Sequence, residues 1–371
     1  MKKFAGLTFV VFFVLVALPP AFSDAPVVRI TSTLHQNFTG EFRNDNLAQE
    51  LTPSGRLGQL VFVPFDKSRI WVIDPALIDE VVAMSNGYKL ATDAQPIGKE
   101  IASDWLMQLK NVTAANNVIA LAYGNPDVAL GNRLAPSELR MYFAYGKIQL
   151  ESVLGRVVRS EPDRGWSVGR SHLSPTLRKS YGQERKALTR LTKVVISPEV
   201  LQLRVRLARL LSPKLDSDSR AYFSFNASTA VAAQVNRLRV IAGKYQITTE
   251  RSELPVTVIN DFPVEVSVGI EMLAMNSRIL VDSFTGIKLP PNSKTQLGLK
   301  TQVIAPGQTI VFAQIIDIDG SGVAPPSILA LNATVIDPRV TRFTTGAAIL
   351  LLLAAITQSV RRVRKGRKVE I

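Results

Sequence analysis

The sequence predicts an α/β part, a reduced and incomplete barrel-like βα layer, followed by an all-β immunoglobulin-like sandwich and a C-terminal transmembrane helix. Within residues 59–215, short apolar runs alternate with stretches of helical periodicity, which is typical of parallel βαβ units. From residue 240 the apolar period becomes two, and turn residues separate the runs, which indicates antiparallel strands. Residues 343–360 carry no charge and have about the length that crosses a bilayer.

The first 23 residues have the pattern of a signal peptide. Lys2 and Lys3 precede the apolar stretch Phe4–Leu18, and Ala21 to Ser23 offers a small-x-small cleavage pattern. An uncleaved N-terminal anchor is the alternative. Cleavage after Ser23 is favoured, because the apolar core is shorter than the ~20 residues that a span needs.

The C-terminal sequence predicts a single span with the tail inside the cell. The uncharged segment 343–360 is followed by a tail, 361–371, that contains six cations and one acid, Glu370. Positive residues that flank a span stay on the cytoplasmic side. We therefore expect a single-pass protein of the cell membrane with an extracytoplasmic bulk. The tail cations, which would also contact anionic lipids, are Arg361, Arg362, Arg364, Lys365, Arg367 and Lys368.

The α/β part is predicted to begin at residue 59, after a polar N-terminal extension, 24–58, with one strand at 27–33. Ser197 and Pro198 suit the N-cap and first position of a helix. The predicted strands are too few for an eight-fold barrel. Strands are predicted at 60–63, 69–73 and 117–123, and helices at 76–85, 98–110, 136–154, 184–195 and 198–211.

A connector, 216–239, with a helix at 227–238, is predicted to lead into the sandwich at 240–338. Since the chain has no cysteine, the sandwich core must be stable without a disulfide. Seven strands are predicted at 245–249, 255–259, 264–272, 278–282, 295–304, 309–316 and 328–336.

The composition excludes several classes of function. The absence of cysteine excludes thiol catalysis and cysteine-bound zinc. His35 and His172 lie in unrelated segments, so neither a metal-binding histidine pair nor a serine triad is predicted. The chain also lacks a Walker motif and a dinucleotide-binding glycine fingerprint. We therefore expect neither a metal nor a cofactor.

Asp74 and Asp127 are the candidate catalytic residues. Each follows an apolar strand and precedes a proline or a helix, which predicts that both carboxylates lie at the C-terminal edge of a parallel sheet, where α/β folds bind ligands. Two carboxylates there could act as acid and base on a glycosidic bond. The alternative is structural, because Asp at a strand end commonly caps the next helix.

A basic stretch between residues 178 and 209 is the second candidate site. Its nine cations stand against Glu184 and Glu199, a net +7, which equals the net charge of residues 24–360. Nucleic acid is not expected as a partner of an exported domain, so the predicted ligand is an anionic wall polymer or a lipid headgroup. A solvated helical face is the alternative. The cations are Arg178, Lys179, Arg185, Lys186, Arg190, Lys193, Arg204, Arg206 and Arg209.

The sequence resembles an uncharacterised actinobacterial family of exported, single-span envelope proteins, often encoded beside the lipid II flippase. The resemblance implies a location in the envelope and a cell-wall context, without a mechanism. It covers most of residues 59–371, although this chain is shorter than typical members. The segments that carry it are Trp71–Asp79, Leu121–Val128, Tyr245–Thr249, Leu254–Val266, Pro290–Ser293 and Pro338–Arg342.

These observations lead to three functional hypotheses. The first is a non-catalytic binding or scaffold module of the cell envelope, associated with cell-wall assembly. Its expected partners are the lipid bilayer and an anionic wall polymer, peptidoglycan or a membrane protein of wall assembly. The second is a cell-wall glycoside hydrolase that uses Asp74 and Asp127. The third, assistance to a transporter of lipid-linked precursors, follows from the family resemblance alone.

Overall fold

The computed structural model describes residues 25–65, 68–334 and 338–366. The predicted signal peptide, 1–23, lies outside the described residues, as do Arg367 and Lys368 of the predicted tail.

A three-stranded parallel sheet forms the centre of the α/β part. Its strands are β1 (Val27–Ile30), β2 (Ile70–Ile73) and β3 (Asn117–Ala120), and β2 lies in the middle. The predicted parallel pairing is confirmed. The edge strand β1 lies in 24–58, the segment predicted to be an extension before the α/β part. The side chain of Ile30 is buried in the same core as Trp71 of β2.

The described residues of the α/β part contain six helices. They are α1 (Asn46–Leu51), α2 (Arg56–Phe62), α3 (Pro75–Ser85), α4 (Lys99–Thr113), α5 (Val128–Leu134) and α6 (Pro136–Leu154). The predicted strand at 60–63 is wrong, since most of it lies in α2. Leu57 and Val61, one helical turn apart, are both buried, and a short apolar run alone does not distinguish a strand from one buried helical face.

A second group of helices joins the α/β part to the sandwich. It contains α7 (Pro175–Val194), α8 (Pro198–Arg206), a 3-10 turn (Leu207–Leu211) and α9 (Ser217–Val235). The buried side chains of Leu188, Leu203 and Phe223 belong to the same apolar core as the sandwich strands. Ser197 occupies the N-cap position of α8, but its side chain makes no capping hydrogen bond.

The C-terminal part is a sandwich of two curled sheets. Its strands are β4 (Leu238–Val240), β5 (Gly243–Ile247), β6 (Arg251–Asn260), β7 (Val266–Ala274), β8 (Ile279–Val281), β9 (Phe284–Leu289), β10 (Ser293–Val303), β11 (Gly307–Ile316) and β12 (Ser327–Ala333). One sheet has the order β4-β6-β10-β8 and the other β5-β12-β11-β7-β9. All seven predicted strands are present, and β4 and β9 are additional.

The chain changes sheet between β4 and β5. β4 pairs antiparallel with β6, and two residues later β5 pairs parallel with β12 in the other sheet. The remaining sandwich pairings are antiparallel. The first and last parts of the sandwich are thereby joined side by side.

The last described element is helix α10 (Pro338–Gly366), which contains the segment predicted as a span. In the part of the chain that the structure describes, no helix combines the length and apolar character that a membrane crossing requires.

Candidate functional site

Asp74 lies at the C-terminal end of β2, as predicted, and caps α3. Its Oδ1 accepts hydrogen bonds from the backbone N–H groups of Ala76 at 3.0 Å and Gly124 at 2.9 Å. The side chain is buried. One carboxylate thus fixes both the first turn of α3 and the loop after β3.

Asp127 caps α5 in a similar way. Its Oδ1 accepts from the N–H groups of Ala129 at 3.0 Å and Leu130 at 3.2 Å, and its Oδ2 accepts from Ser171 N–H at 2.8 Å. The guanidinium of Arg170 lies 3.6 Å from Oδ1. Both candidate carboxylates are therefore directed into helix N-termini and their neighbouring loops, an arrangement that favours the structural role over catalysis.

Burial raises the pKa of Asp74 to about 7. The positive charge of Arg209 and the hydrogen bonds from Ala76 and Gly124 act in the opposite direction. The carboxyl is thus held in an environment that disfavours its charged form, as is typical of a carboxyl removed from water.

Glu80, which no sequence pattern marks as functional, forms a buried ion pair with Arg209. The Oε1 atom of Glu80 lies 2.7 Å from the guanidinium of Arg209 and also accepts from the N–H groups of His35 at 3.0 Å and Gln36 at 2.7 Å. Arg209 is 4% exposed, so it does not offer a free charge to a polymer. The sequence predicts that Arg209 binds a polymer, whereas the structure pairs it with Glu80. The pair is not visible in the sequence because the two residues are distant along the chain.

Arg204 and Arg206 also use their charges inside the protein. Arg204 donates to both carboxylate oxygens of Glu138, at 3.0 Å and 2.6 Å. Arg206 donates to the carbonyl of Asn37 at 2.6 Å. With Arg209, these cations tie α8 and the 3-10 turn to the α/β part rather than forming a polymer-binding face.

The cations of α7 are placed differently. Arg185 is half-buried, and the ammonium of Lys193 lies 2.8 Å from Asp319 and 3.2 Å from Asp317 in the loop after β11. This contact joins the end of α7 to the sandwich. The exposed cations of the helix are Arg178, Lys179, Lys186, Arg190 and Lys193.

Lys186 and Arg190 line a groove of about 710 Å³ between α7, α9 and the loop that precedes β12. Val231 and Val235 of α9 and the loop residues Val323 to Pro326 supply an apolar wall. Pockets with an apolar lining and a few polar groups, at an interface between domains, are typical ligand sites. Neither Asp74 nor Asp127 lines this groove.

Glu184 supplies a carboxyl group to the groove lining. Its Oε1 accepts a hydrogen bond from Ser180 at 2.8 Å and another from Ser228, whereas its buried Oε2 has no hydrogen-bond partner among the described residues. Burial raises the pKa of Glu184. The cations at the groove edge are therefore not matched by an exposed acid in its lining.

The described residues contain no group of three or more His, Asp or Glu side chains arranged to hold a metal ion. The groove lining offers cationic, hydroxyl, amide and apolar groups, together with the buried carboxyl of Glu184.

Comparison with solved structures gives likenesses to small β domains, each covering about a quarter of the chain. WR4, an MSP family member of Caenorhabditis elegans, is 13% identical, with 26% of this chain and 98% of that chain covered and a TM-score of 0.20. A PapD-like domain of human CEP192 is 11% identical, with 27% of this chain and 87% of that chain covered and a TM-score of 0.22. The CARDB domain of a Pyrococcus furiosus protein is 16% identical, with 26% of this chain and 94% of that chain covered and a TM-score of 0.21. Because the TM-scores are this low, these likenesses do not indicate a function for the chain.

No curated protein matches the chain. A family model does, over residues 167–368, which include the groove, the sandwich and all of α10. This match covers more than half of the sequence. The chain therefore belongs to DUF6049, a family of unknown function.

Proposed function

We propose that this protein is a membrane-anchored, extracytoplasmic envelope protein whose groove binds an anionic cell-wall polymer without catalysis. The groove between α7, α9 and the sandwich carries the proposal, because exposed cations lie there beside an apolar wall. The family resemblance to exported envelope proteins and the signal-like first 23 residues support the location. The anchor is supported by the sequence and not by the described helices: segment 343–360 carries no charge, and six cations follow it.

A row of exposed cations favours an extended anionic ligand. Lys179, Lys186 and Arg190 recur along α7 at helical spacing, and all three are exposed. At ~1.5 Å per residue, the row extends over about 16 Å. A polymer with repeated phosphate or carboxylate groups matches such a row better than a compact anion, and its attraction would weaken as salt screens the charges.

The experiment is co-sedimentation of the full-length protein, in detergent, with purified cell-wall material that retains its anionic polymers. We expect Lys186→Ala with Arg190→Ala to reduce the retained fraction several-fold at low salt. For the wild-type protein, a rise in salt from about 0.05 to 0.5 M should reduce the retained fraction by a similar factor, because screening lengths shorten over this range.

The matched control is Lys99→Ala with Lys110→Ala, which removes the same charge from exposed positions on α4. It should sediment like the wild type. Equal losses in both double variants would indicate attraction by net charge alone, and unchanged binding of the groove variant would overturn the proposal. Wall material from which the anionic polymers have been extracted should retain neither the wild-type protein nor the α4 control variant.

A further inference from the structure

One end of the sandwich is defined by the strand from which the chain leaves it. Ala333, the last residue of β12, pairs with Gly307 of β11 and with Ile247 of β5. The turns 248–250, 275–278 and 304–306 lie at the same end, since Ile304 N–H donates to Arg278 and Met275 N–H donates to Ile310. We call this set of turns, with Ala333, the exit end.

Large apolar side chains are exposed at the exit end. Met275 is 63% exposed and Ile304 is 59% exposed, and both lie in its turns. Leu273 and Ile310, just behind them on the five-stranded sheet, are 62% and 41% exposed. Isolated exposed apolar residues are common on protein surfaces, but a contiguous group marks an interaction surface.

The length of chain after the exit end identifies the occupant. Nine residues, 334–342, separate Ala333 from the uncharged segment, and 338–342 belong to α10. With at most ~3.5 Å for each of the first four residues and ~1.5 Å for each helical one, they reach about 20 Å. If residues 343–360 enter a bilayer, the exit end therefore lies within about 20 Å of where the segment begins.

We propose that the exit end lies against the bilayer surface, with Met275 and Ile304 inserted among the lipid headgroups. The exposed Arg278 lies between them in the chain, and its guanidinium donates to the carbonyl of Pro306 at 2.9 Å. A cation beside apolar side chains suits an interface with anionic lipids. This inference rests on the membrane anchor of the proposed function and adds a lipid-binding surface to it.

The absence of cysteine makes a direct test possible, since each single-cysteine variant carries one spin label. Met275→Cys and Ile304→Cys report on the exit end, and Leu352→Cys reports on the uncharged segment. Ile318→Cys, in the loop after β11 and fully exposed, is the matched aqueous control. The full-length protein is reconstituted in vesicles of neutral and anionic phospholipids, and each label is exposed to oxygen and to a water-soluble nickel chelate.

Labels at 275 and 304 should be several-fold less accessible to the nickel chelate than the label at 318, and more accessible to oxygen. If they match the label at 318 while the label at 352 is in lipid, the inference is overturned and the anchor stands. If the label at 352 is also aqueous, the anchor fails and the inference fails with it. All labelled positions are exposed, so circular dichroism of the variants should match the wild type.

Discussion

The Oε1 atom of Glu80 lies 2.7 Å from the guanidinium of Arg209, and both side chains are buried. This pair joins α3 to the 3-10 turn, and two N–H groups of the loop after β1 donate to the same oxygen. Burial acts to raise the pKa of Glu80, but Arg209 and these contacts hold it below its ordinary value. The pair is thus maintained in its charged form.

Removing one member of this pair should strongly destabilise the protein. We expect Glu80→Ala to lower the free energy of unfolding by about 3–5 kcal/mol, because Arg209 would remain buried without its partner. Urea denaturation measures the change. Glu199→Ala is the control, since Glu199 is exposed in its pair with the half-buried Arg237 and should contribute less than about 1 kcal/mol. Similar losses in the two variants would contradict a special role for the buried pair.

Asp74 should make stability depend on pH. Its pKa is about 7 in the folded protein and about 4 when unfolded, so between these values the folded state binds more protons. The contribution of Asp74 to the free energy of unfolding therefore falls as pH rises from about 4 to 7. Asp74→Asn keeps an oxygen that can accept both N–H bonds, so it should gain stability relative to wild type from pH 5 to 8. Parallel urea midpoints across this range would refute the assignment.

Two helical glycines should respond in opposite ways to alanine. A Cβ at Gly146 of α6 would lie 2.9 Å from the carbonyl of Leu121 and 3.0 Å from Tyr123 N, whereas one at Gly182 of α7 would meet nothing within 4 Å. Gly182→Ala should stabilise by about 0.5–1 kcal/mol through helix propensity. Gly146→Ala should destabilise, because the backbone contact between α6 and the end of β3 must open. Thermal unfolding of both variants is the measurement, and stabilisation by both would show that α6 can shift.

The hydrolase hypothesis predicts a product, and the binding proposal predicts none. We expect neither the wild type nor the double variant Asp74→Asn with Asp127→Asn to release soluble fragments from cell-wall material, since both carboxylates accept helix N–H groups. Mass spectrometry of the supernatant tests this, with circular dichroism to show that the double variant is folded. Fragments released by the wild type alone would establish a hydrolase, and their masses would show whether the cleaved bond is glycosidic.

Local signals in the sequence predicted much of the architecture. Asp74 and Pro75 mark the start of α3, and α6 begins and ends at the predicted residues, because caps and first-turn prolines act within a few residues. The alternation in the last third predicted seven strands. β4 was missed because it has three residues and directly follows a helix.

The site depended on contacts that no local pattern contains. Arg209 reads as one more cation of a basic stretch, and only the fold brings it to Glu80. Lys186 and Arg190 were included in the predicted polymer site, but the apolar wall beside them comes from α9 and the loop before β12. The helical spacing of the α7 cations is visible in the sequence. The apolar wall opposite them is visible only in the tertiary structure.

The parallel pairing of β5 with β12 has a mechanical consequence. Tension between the helical layers and α10 would enter the sandwich at Leu238 and leave it at Ala333. Because β5 and β12 run in the same direction over five registered pairs, such tension pulls the two strands from opposite ends. The rungs of the ladder then bear the load together in shear, instead of opening one after another as in a zipper. A pull between these two points would therefore load the β5–β12 ladder along the length of the sandwich.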